Sequence, residues 1–267
     1  MENKPEGVPA SLPRLSRRLA ALAEWVPEGA RFADIGTDHA LLPVYLALSG
    51  RIASAVAGDL RTGPVRAALR QVEAAGAGGV VSVRQGDGLS VLAPGEADTL
   101  CIAGLGGAQI VRILETGGPR LAGVRTLLLA PQRAEGAVRR WLSEHGWVLD
   151  AERLVEEGGV IYTLLKAVKP ADGAEAERRN RGLYDPEVLA PRMPEIPLWL
   201  LYDMGPLLLR RPDAAFRRLW EAEAAKRERV VRQLERSASP EAARKAEILE
   251  REARLIREVL GCLPAET

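Results

Sequence analysis

The sequence predicts an α/β protein with a mostly parallel sheet covered on both faces, followed by an α-helical hairpin. Short apolar segments alternate with helical patterns over residues 30–145, which is typical of parallel strands joined by crossover helices. A polar or glycine turn follows each of the first four strands. Near the C-terminus, two long amphipathic segments joined by a short polar turn predict the hairpin.

Composition is that of a globular protein without membrane or metal signatures. The 267 residues are 47% hydrophobic and 27% charged with a net charge of +1, so any basic surface must be local. No apolar run reaches the ~18 residues of a membrane span, and residues 1–13 lack the apolar core of a signal peptide. Cys101 and Cys262 offer neither a metal-ligand spacing nor a disulfide framework, so we expect a cytoplasmic protein.

The first region begins with an amphipathic helix over residues 12–26. A first strand follows that contains Phe32, Ala33 and Ile35. Further strands are predicted over residues 53–58, 80–84, 98–103 and 126–130. Helices are predicted over residues 64–75, 107–114 and 134–145. Residues 147–155 and 160–168 are expected to close the sheet as an antiparallel pair around a glycine turn.

The rest of the chain predicts a connector and the hairpin. Residues 170–211 are polar and proline-rich, with one apolar segment over 198–202 that we expect to pack on a neighbour. A long helix over 213–236 follows. Ser239, followed by proline, predicts the start of a second helix that closes at Gly261. We therefore expect three regions, which are residues 1–169, 170–211 and 212–267.

The turn after the first strand carries acids where nucleotide-binding folds carry glycines. Asp34 and Asp38 flank a single glycine, Gly36. A pyrophosphate-binding turn has three glycines and no inward carboxylate, whereas two acids favour a cationic or amine-bearing ligand. The turn therefore favours S-adenosylmethionine over NAD. A plain strand–turn–helix connection is the alternative.

Three further turns carry candidate binding groups. Asp59 ends the second strand, where a carboxylate can accept both ribose hydroxyls of a nucleoside, although it could be an ordinary turn residue. Asp87 lies between two glycines and could accept from an adenine amine, although Asp-Gly is also common turn chemistry. The glycine loop 104–107 leaves room for a flat base. Because the carboxyl ends of parallel strands share one edge of the sheet, we expect these turns to line one crevice.

Two other features fit a functional and a structural interpretation. His39 could act as a base, but a lone histidine at a helix start is more often structural. From Arg210 to Arg232, eight basic residues stand against four acidic ones, a net excess of four positive charges that could follow a phosphate backbone. The solvated face of a helical hairpin explains this excess equally well.

The most specific motifs are ADIGTDHALLP (33–43) and IAGLGG (102–107). In order around them come LSRRL (15–19), GP (63–64), VRQGDGL (83–89), the LLLAP-to-RRWL segment (127–142) and DMGPLL (203–208). Together they resemble the bacterial tRNA (adenine-22-N1)-methyltransferase family, commonly called TrmK, over nearly the whole chain. The sequence departs from the family pattern at Ala130-Pro131-Gln132, where Gln-Pro-Asn is usual, and at Leu105, where Met is usual.

The resemblance implies a Rossmann-like class I methyltransferase domain that transfers a methyl group from S-adenosylmethionine to N1 of adenine 22 in tRNA. Asp38 is expected to be catalytic by stabilising the positive charge that develops on the base. Cofactor contacts are expected from Asp34, Gly36, Thr37, His39, Asp59, Asp87, Gly88, Ala103 and Gly104. Substrate contacts are expected from Arg17, Arg18, Gly106, Gly107, Pro131, Gln132, Arg210, Arg211, Arg217 and Arg218.

Two other functions stay open at this point. The chain could methylate a substrate other than RNA, with the hairpin as a dimerisation element. It could also bind RNA without catalysis and keep the cofactor pocket for stability. We expect tRNA as the partner, no membrane association, no metal, and a monomer or weak dimer.

Overall fold

The structure, a computed structural model, describes residues 12–185, 196–237 and 239–263. It separates into two compact units, Met1–Glu177 and Arg178–Thr267. The described strands are β1 (Ala30–Ile35), β2 (Ile52–Asp59), β3 (Val81–Gln85), β4 (Thr99–Ala103), β5 (Thr126–Ala130), β6 (Val148–Glu157) and β7 (Val160–Val168). The described α-helices are α1 (Arg17–Glu24), α2 (Leu41–Leu48), α3 (Thr62–Ala74), α4 (Gly107–Gly117), α5 (Glu135–Glu144), α6 (Gly173–Tyr184), α7 (Leu198–Met204), α8 (Pro206–Arg210), α9 (Ala214–Leu234) and α10 (Pro240–Cys262).

The strands form one seven-stranded sheet in the order β3-β2-β1-β4-β5-β7-β6. β1 to β5 pair in parallel, and β7 runs antiparallel to both β5 and β6. The predicted α/β fold and its closing antiparallel pair are confirmed. From β1 the chain moves outward to β2 and β3, and it then returns to β4 on the other side. Open α/β sheets bind ligands beyond the carboxyl ends of the strands at such a switch point.

The central strands are apolar enough to be covered on both faces. Every residue of β5 is buried, as are all residues of β1 except one, which is typical of parallel strands between layers of helices. α2 packs against α3, and α4 packs against α5. Because the chain winds outward in opposite directions from β1 and from β4, right-handed crossovers put α2 and α3 on one face and α4 on the other.

The predicted elements differ from the structure mainly at helix ends and in the connector. The helix predicted over residues 12–26 begins only at Arg17, because the Ser16 hydroxyl caps it by accepting from the N–H of Leu19 at 3.3 Å. Helix α10 continues through Gly261 to Cys262, so this glycine does not stop it. The predicted connector contains α6, α7 and α8. Pro197 and Pro206 stand at the starts of α7 and α8, where proline is tolerated.

The second unit contains the predicted helical hairpin. Asp213 caps α9 by accepting from the N–H of Phe216 at 2.8 Å. Ion pairs link the two helices, from Arg227 to Glu252 at 3.0 Å and from Arg257 to Glu228 at 3.1 Å. Apolar residues of both helices are buried, among them Phe216, Trp220, Ile256 and Val259. Among the described residues, no helix is long and apolar enough to cross a membrane.

Candidate active site

The turn between β1 and α2 is the centre of the candidate site. Gly36 has a φ of +79°, which favours glycine. The N–H groups of Gly36 and Thr37 both donate to the carbonyl of Gly58 at the end of β2, at 2.8 and 3.0 Å. The Thr37 hydroxyl accepts from the N–H of Ala40 at 3.1 Å and so starts α2. The turn is therefore held tightly against β2, and the side chains around it have defined positions.

Asp34 is a buried carboxylate at the end of β1. It accepts hydrogen bonds from the Thr37 hydroxyl and from the thiol of Cys101, its register partner on β4. Burial raises the pKa of Asp34 to about 6, the two hydrogen bonds oppose this rise, and the nearby charge of Asp59 adds to it. Burial, together with Asp34, also raises the pKa of the Cys101 thiol, which therefore stays protonated and can donate. At neutral pH, Asp34 is thus largely ionised, and neither of these two hydrogen-bond donors carries a positive charge.

Replacing Asp34 with asparagine should stabilise the ligand-free protein. Because the pKa of this carboxyl is higher in the folded state, its contribution to stability is present below about pH 4 and is lost as the pH rises through about 6. At neutral pH the ionised group costs on the order of 3 kcal/mol. We therefore expect Asp34→Asn to raise the urea unfolding midpoint at pH 7.5, and we expect this gain to shrink toward pH 4.

The matched control for that experiment is Asp38→Asn. Asp38 lies in the same turn, but its side chain is 77% exposed, so the same chemical change should leave the midpoint nearly unaltered at both pH values. A loss of stability in Asp34→Asn of equal size at pH 7.5 and pH 4 would contradict the assignment of Asp34 as a destabilising buried charge.

Asp38 and His39 lie on the exposed side of the turn. The Nε2 atom of His39 is 3.5 Å from Oδ2 of Asp38, and the two side chains are 54% and 77% exposed. Such an open pair lacks the ordered hydrogen bonds of a catalytic base, but its carboxylate can offset positive charge on a ligand. No group of three or more His, Cys, Asp or Glu side chains in the described ranges is arranged to hold a metal ion.

Arg18 on α1 lies beside the loop that follows β4. Its Nη2 atom is 4.0 Å from the position that a Cβ would take at Gly104, and its Cζ lies 4.7 Å from the ring centroid of Tyr162 on β7. Its charge also acts on the thiol of Cys101. The Nε atom is buried and has no hydrogen-bond partner among the described residues. The sequence predicted Arg18 on a tRNA-binding surface, but the structure half-buries it here, while Arg17 is exposed.

Asp59 and Asp87 lie in neighbouring turns at the same edge of the sheet. Asp59 is 5% exposed, and its Oδ1 accepts from the N–H of Arg61 at 2.7 Å. Its Oδ2 accepts no hydrogen bond within the described part of the chain. Gln85, the last residue of β3, donates to the Leu60 carbonyl at 3.1 Å and so ties the two turns together.

Leu60 was missed by sequence reasoning. It is 59% exposed, although it directly follows the buried Asp59. An exposed leucine next to Asp59 offers an apolar surface on which a flat ring can lie. The only signal in the sequence was an apolar residue in an otherwise polar turn.

Backbone hydrogen bonds fasten the loop after β4 to the loop after β5. The N–H of Gln132 donates to the Leu105 carbonyl at 2.9 Å, and the N–H of Gly107 donates to the Arg133 carbonyl at 2.8 Å. A Cβ on Gly107 would lie 2.6 Å from that Arg133 oxygen, so only glycine fits. The glycine-rich loop after β4 and the proline-containing loop after β5 therefore form one rigid corner.

The four substrate residues predicted in these loops differ in accessibility. Gly106 is half-buried and Gln132 is exposed, so both can touch a ligand. Gly107 and Pro131 are buried, so they offer less surface to a ligand than Gly106 and Gln132, and their substrate contact stays a prediction. The close approach at Gly107 leaves no room for a side chain there and so shapes the corner.

The match to known proteins decides the family. The family described as "Methyltransferase domain" matches residues 15–165. The tRNA (adenine(22)-N(1))-methyltransferase of Bacillus subtilis (strain 168) is 39% identical over 228 residues, which are 85% of this chain and 89% of that protein. This chain belongs to that methyltransferase family. The predicted resemblance is thereby confirmed.

Solved structures of this family share the fold. The crystal structure of the B. subtilis m1A22 tRNA methyltransferase TrmK is 35% identical and matches with a TM-score of 0.81, covering 93% of this chain and 99% of that one. A proposed tRNA (m1A22) methyltransferase of Streptococcus pneumoniae, solved in complex with S-adenosyl-L-methionine, is 31% identical with a TM-score of 0.74, covering 92% and 100%. The Rossmann-like methyltransferase fold with a helical C-terminal region is confirmed.

The second unit of this family member carries the other predicted substrate residues. Arg210 donates to the Gly182 carbonyl at 2.6 Å, and the half-buried Arg217 donates to the Leu260 carbonyl at 3.5 Å. Both therefore help to hold helices of the unit together, although Arg210 is exposed, and contact of either residue with tRNA stays a prediction. Arg211 and Arg218 are exposed.

Helix α9 also carries two exposed arginines that were predicted only as part of the basic excess. Arg229 and Arg232 are exposed and three residues apart, so they lie on one face of the helix. Neither forms an ion pair within the described ranges, whereas Lys226 and Arg227 both pair with Glu223.

Proposed function

We propose that this chain transfers a methyl group from S-adenosylmethionine to N1 of adenine 22 in tRNA. The observation that carries this proposal is the combination of charges in the crevice of Asp34, Asp59, Asp87 and the 104–107 loop. A buried Asp34 and a half-buried Arg18 lie near Cys101, and Asp59 lies in the next turn. The 39% identity to a tRNA (adenine(22)-N(1))-methyltransferase supports the substrate.

The residues of the crevice fit the polar groups of this cofactor. Its amino-acid end carries one ammonium and one carboxylate, and Asp34 and Arg18 offer the two complementary charges. The buried Nε of Arg18 lacks a partner among the described residues, and a carboxylate would supply one. When bound, S-adenosylmethionine supplies a methyl group activated by its sulfonium.

The nucleoside end fits the next two turns. The Oδ2 atom of Asp59, which has no hydrogen bond in the described structure, can accept from ribose hydroxyls. The exposed Leu60 can cover one face of an adenine ring, and the exposed Asp87 can accept from its amine.

The target base requires positioning more than deprotonation. N1 of adenine carries a lone pair, so the chain needs no general base to prepare it. N1 lies on the pairing edge, so the base must first leave its stack at a cost of ~ a few kcal/mol. We infer that Gly106 and Gln132, the accessible residues of the rigid corner, hold the extruded base. Asp38 then offsets the positive charge that the ring acquires.

Replacing Asp38 with asparagine should therefore slow methyl transfer without weakening cofactor binding. Loss of one electrostatic contact to a developing charge should lower the single-turnover rate on tRNA by ~10- to 100-fold. Affinity for S-adenosylhomocysteine, measured by calorimetry, should stay within about twofold. His39→Gln is the control, because it leaves the Asp38 carboxylate in place and should leave the single-turnover rate nearly unchanged. A rate within twofold of wild type for Asp38→Asn would remove Asp38 from catalysis.

The proposed function is tested by methyl incorporation into bulk tRNA from a strain that lacks the gene. We expect labelled methyl groups to enter this tRNA, and we expect little incorporation into tRNA from the parent strain, because its sites are already modified. Incorporation only into small molecules would favour a non-RNA substrate. Binding of tRNA without incorporation would favour a non-catalytic RNA-binding protein.

A further inference from the structure

A cavity of about 490 Å³ lies at the end of the sheet where β5 begins, which is the end opposite the crevice. Its wall is formed by the C-terminal ends of α4 and α5, by the segment 118–125 that leads into β5, and by Trp147 and Lys169. The crevice lies beyond the carboxyl ends of β1 to β4, so the cavity is a separate feature of the first unit. Its volume is within the range of pockets that bind small molecules.

The cavity has aromatic and apolar walls. Trp141 and Trp147 both line it, together with Leu114, Leu121 and Val124. The Trp141 ring stacks on His145 with 4.3 Å between centroids and 15° between planes. The buried indole N–H of Trp141 has no acceptor among the described residues, which is unusual because a buried indole N–H normally finds one. The walls therefore suit a flat ring rather than a flexible chain.

Cationic groups stand at the same cavity. The Nζ of Lys169 lies 5.3 Å from the ring centroid of Trp147 and donates to the carbonyl of His145. Burial lowers the pKa of Lys169, which indicates that water solvates this ammonium poorly. Arg125 is exposed at the wall, and its side chain has no partner within the described residues, while Glu115 is the acidic residue of the lining. An anion between Lys169 and Arg125 would replace the missing solvation.

We propose that this cavity is a binding site for a small planar aromatic anion, with its ring against Trp141 and Trp147 and its acid group between Lys169 and Arg125. An aromatic carboxylate satisfies both halves of the site at once. A neutral aromatic molecule would leave the ammonium poorly solvated, and an aliphatic acid would make fewer contacts with the apolar and aromatic lining. This proposal does not depend on the methyltransferase function.

The test is a calorimetric titration of the full-length protein with 2-naphthoate. We expect saturable binding that is at least about tenfold weaker for the neutral 2-naphthalenemethanol, because a charge-assisted contact is lost. Lys169→Gln and Arg125→Gln should each weaken 2-naphthoate binding by a similar factor. Lys166→Gln is the matched control, since Lys166 is a nearby lysine of β7 that pairs with Asp150 at 2.9 Å and does not line the cavity.

Three results would overturn the proposal. The first is the absence of saturable binding up to ~1 mM, which is the weak end of specific affinity. The second is binding that neither Lys169→Gln nor Arg125→Gln weakens. The third is that S-adenosylhomocysteine displaces 2-naphthoate from the protein while Lys169→Gln and Arg125→Gln both keep the wild-type affinity for 2-naphthoate. This result would place 2-naphthoate in the crevice.

Discussion

Asp59→Ala is expected to weaken S-adenosylmethionine binding by ~2–4 kcal/mol, roughly 30- to 1,000-fold, because charge-assisted bonds to ribose hydroxyls are lost. In the structure the Asp59 carboxylate is 5% exposed, and its Oδ2 has no hydrogen bond within the described residues. The crevice thus holds an acceptor that only a ligand or solvent can satisfy. Calorimetric titration with S-adenosylhomocysteine measures the loss.

The alanine change also removes the acceptor for the N–H of Arg61, which lies 2.7 Å from Oδ1. A second variant, Asp59→Asn, keeps an oxygen for that N–H but removes the charge. It therefore distinguishes the loss of a ligand contact from a disturbance of the turn. Asp98→Asn is the control, because Asp98 also accepts from a backbone N–H, that of Arg31, but stands before β4 at the other edge of the sheet. Unchanged affinity in both Asp59 variants would show that this carboxylate does not contact the cofactor.

Replacing Arg229 and Arg232 with alanine is expected to weaken tRNA binding and to flatten its dependence on salt. If each arginine contacts one phosphate, the slope of log affinity against log salt should fall by ~0.7–0.9 per residue. The pair is a better choice than Arg210 and Arg217, whose guanidinium groups bind backbone carbonyls of the second unit. Cofactor affinity should be unaltered, because these residues belong to the hairpin.

The matched control for the hairpin is the double change Arg251→Ala and Arg254→Ala on α10. These arginines are also exposed, but they lie near Glu247 and Glu250 at 3.8 and 3.5 Å. Removing them changes the net charge by the same amount, so an equal flattening in both double variants would indicate a diffuse charge effect. A wild-type slope in the Arg229 and Arg232 variant would show that this face of α9 is only solvated.

Much of the first unit could be predicted because its strands are short, apolar and bounded by turn residues. The predicted bounds of β5 and β7 equal the observed ones, and those of β2 to β4 differ by a residue at one or both ends. The predicted shared edge of Asp34, Asp59 and Asp87 follows from the parallel pairing of β1, β2 and β3. Topology alone thus determined where candidate site residues would meet.

What could not be predicted depends on contacts between distant residues. The position of Arg18 depends on packing of α1 near Tyr162 of β7, far along the chain. The burial of Gly107 and Pro131 depends on hydrogen bonds between two loops, which no local pattern encodes. The carbonyl contacts of the exposed Arg210 and the half-buried Arg217 could not be predicted, because composition does not show which guanidinium group finds a carbonyl. The helices α6, α7 and α8 were obscured by prolines that turned out to start two of them.

The most direct test is the position of the methyl group on a single tRNA. A transcript with adenine at position 22 and a matched transcript with guanine there are each incubated with the protein and S-adenosylmethionine, digested and analysed by mass spectrometry. We predict 1-methyladenosine at position 22 of the first transcript and no methylation of the second. Methylation of both transcripts to the same extent, or of the first at another position, would contradict the proposed function.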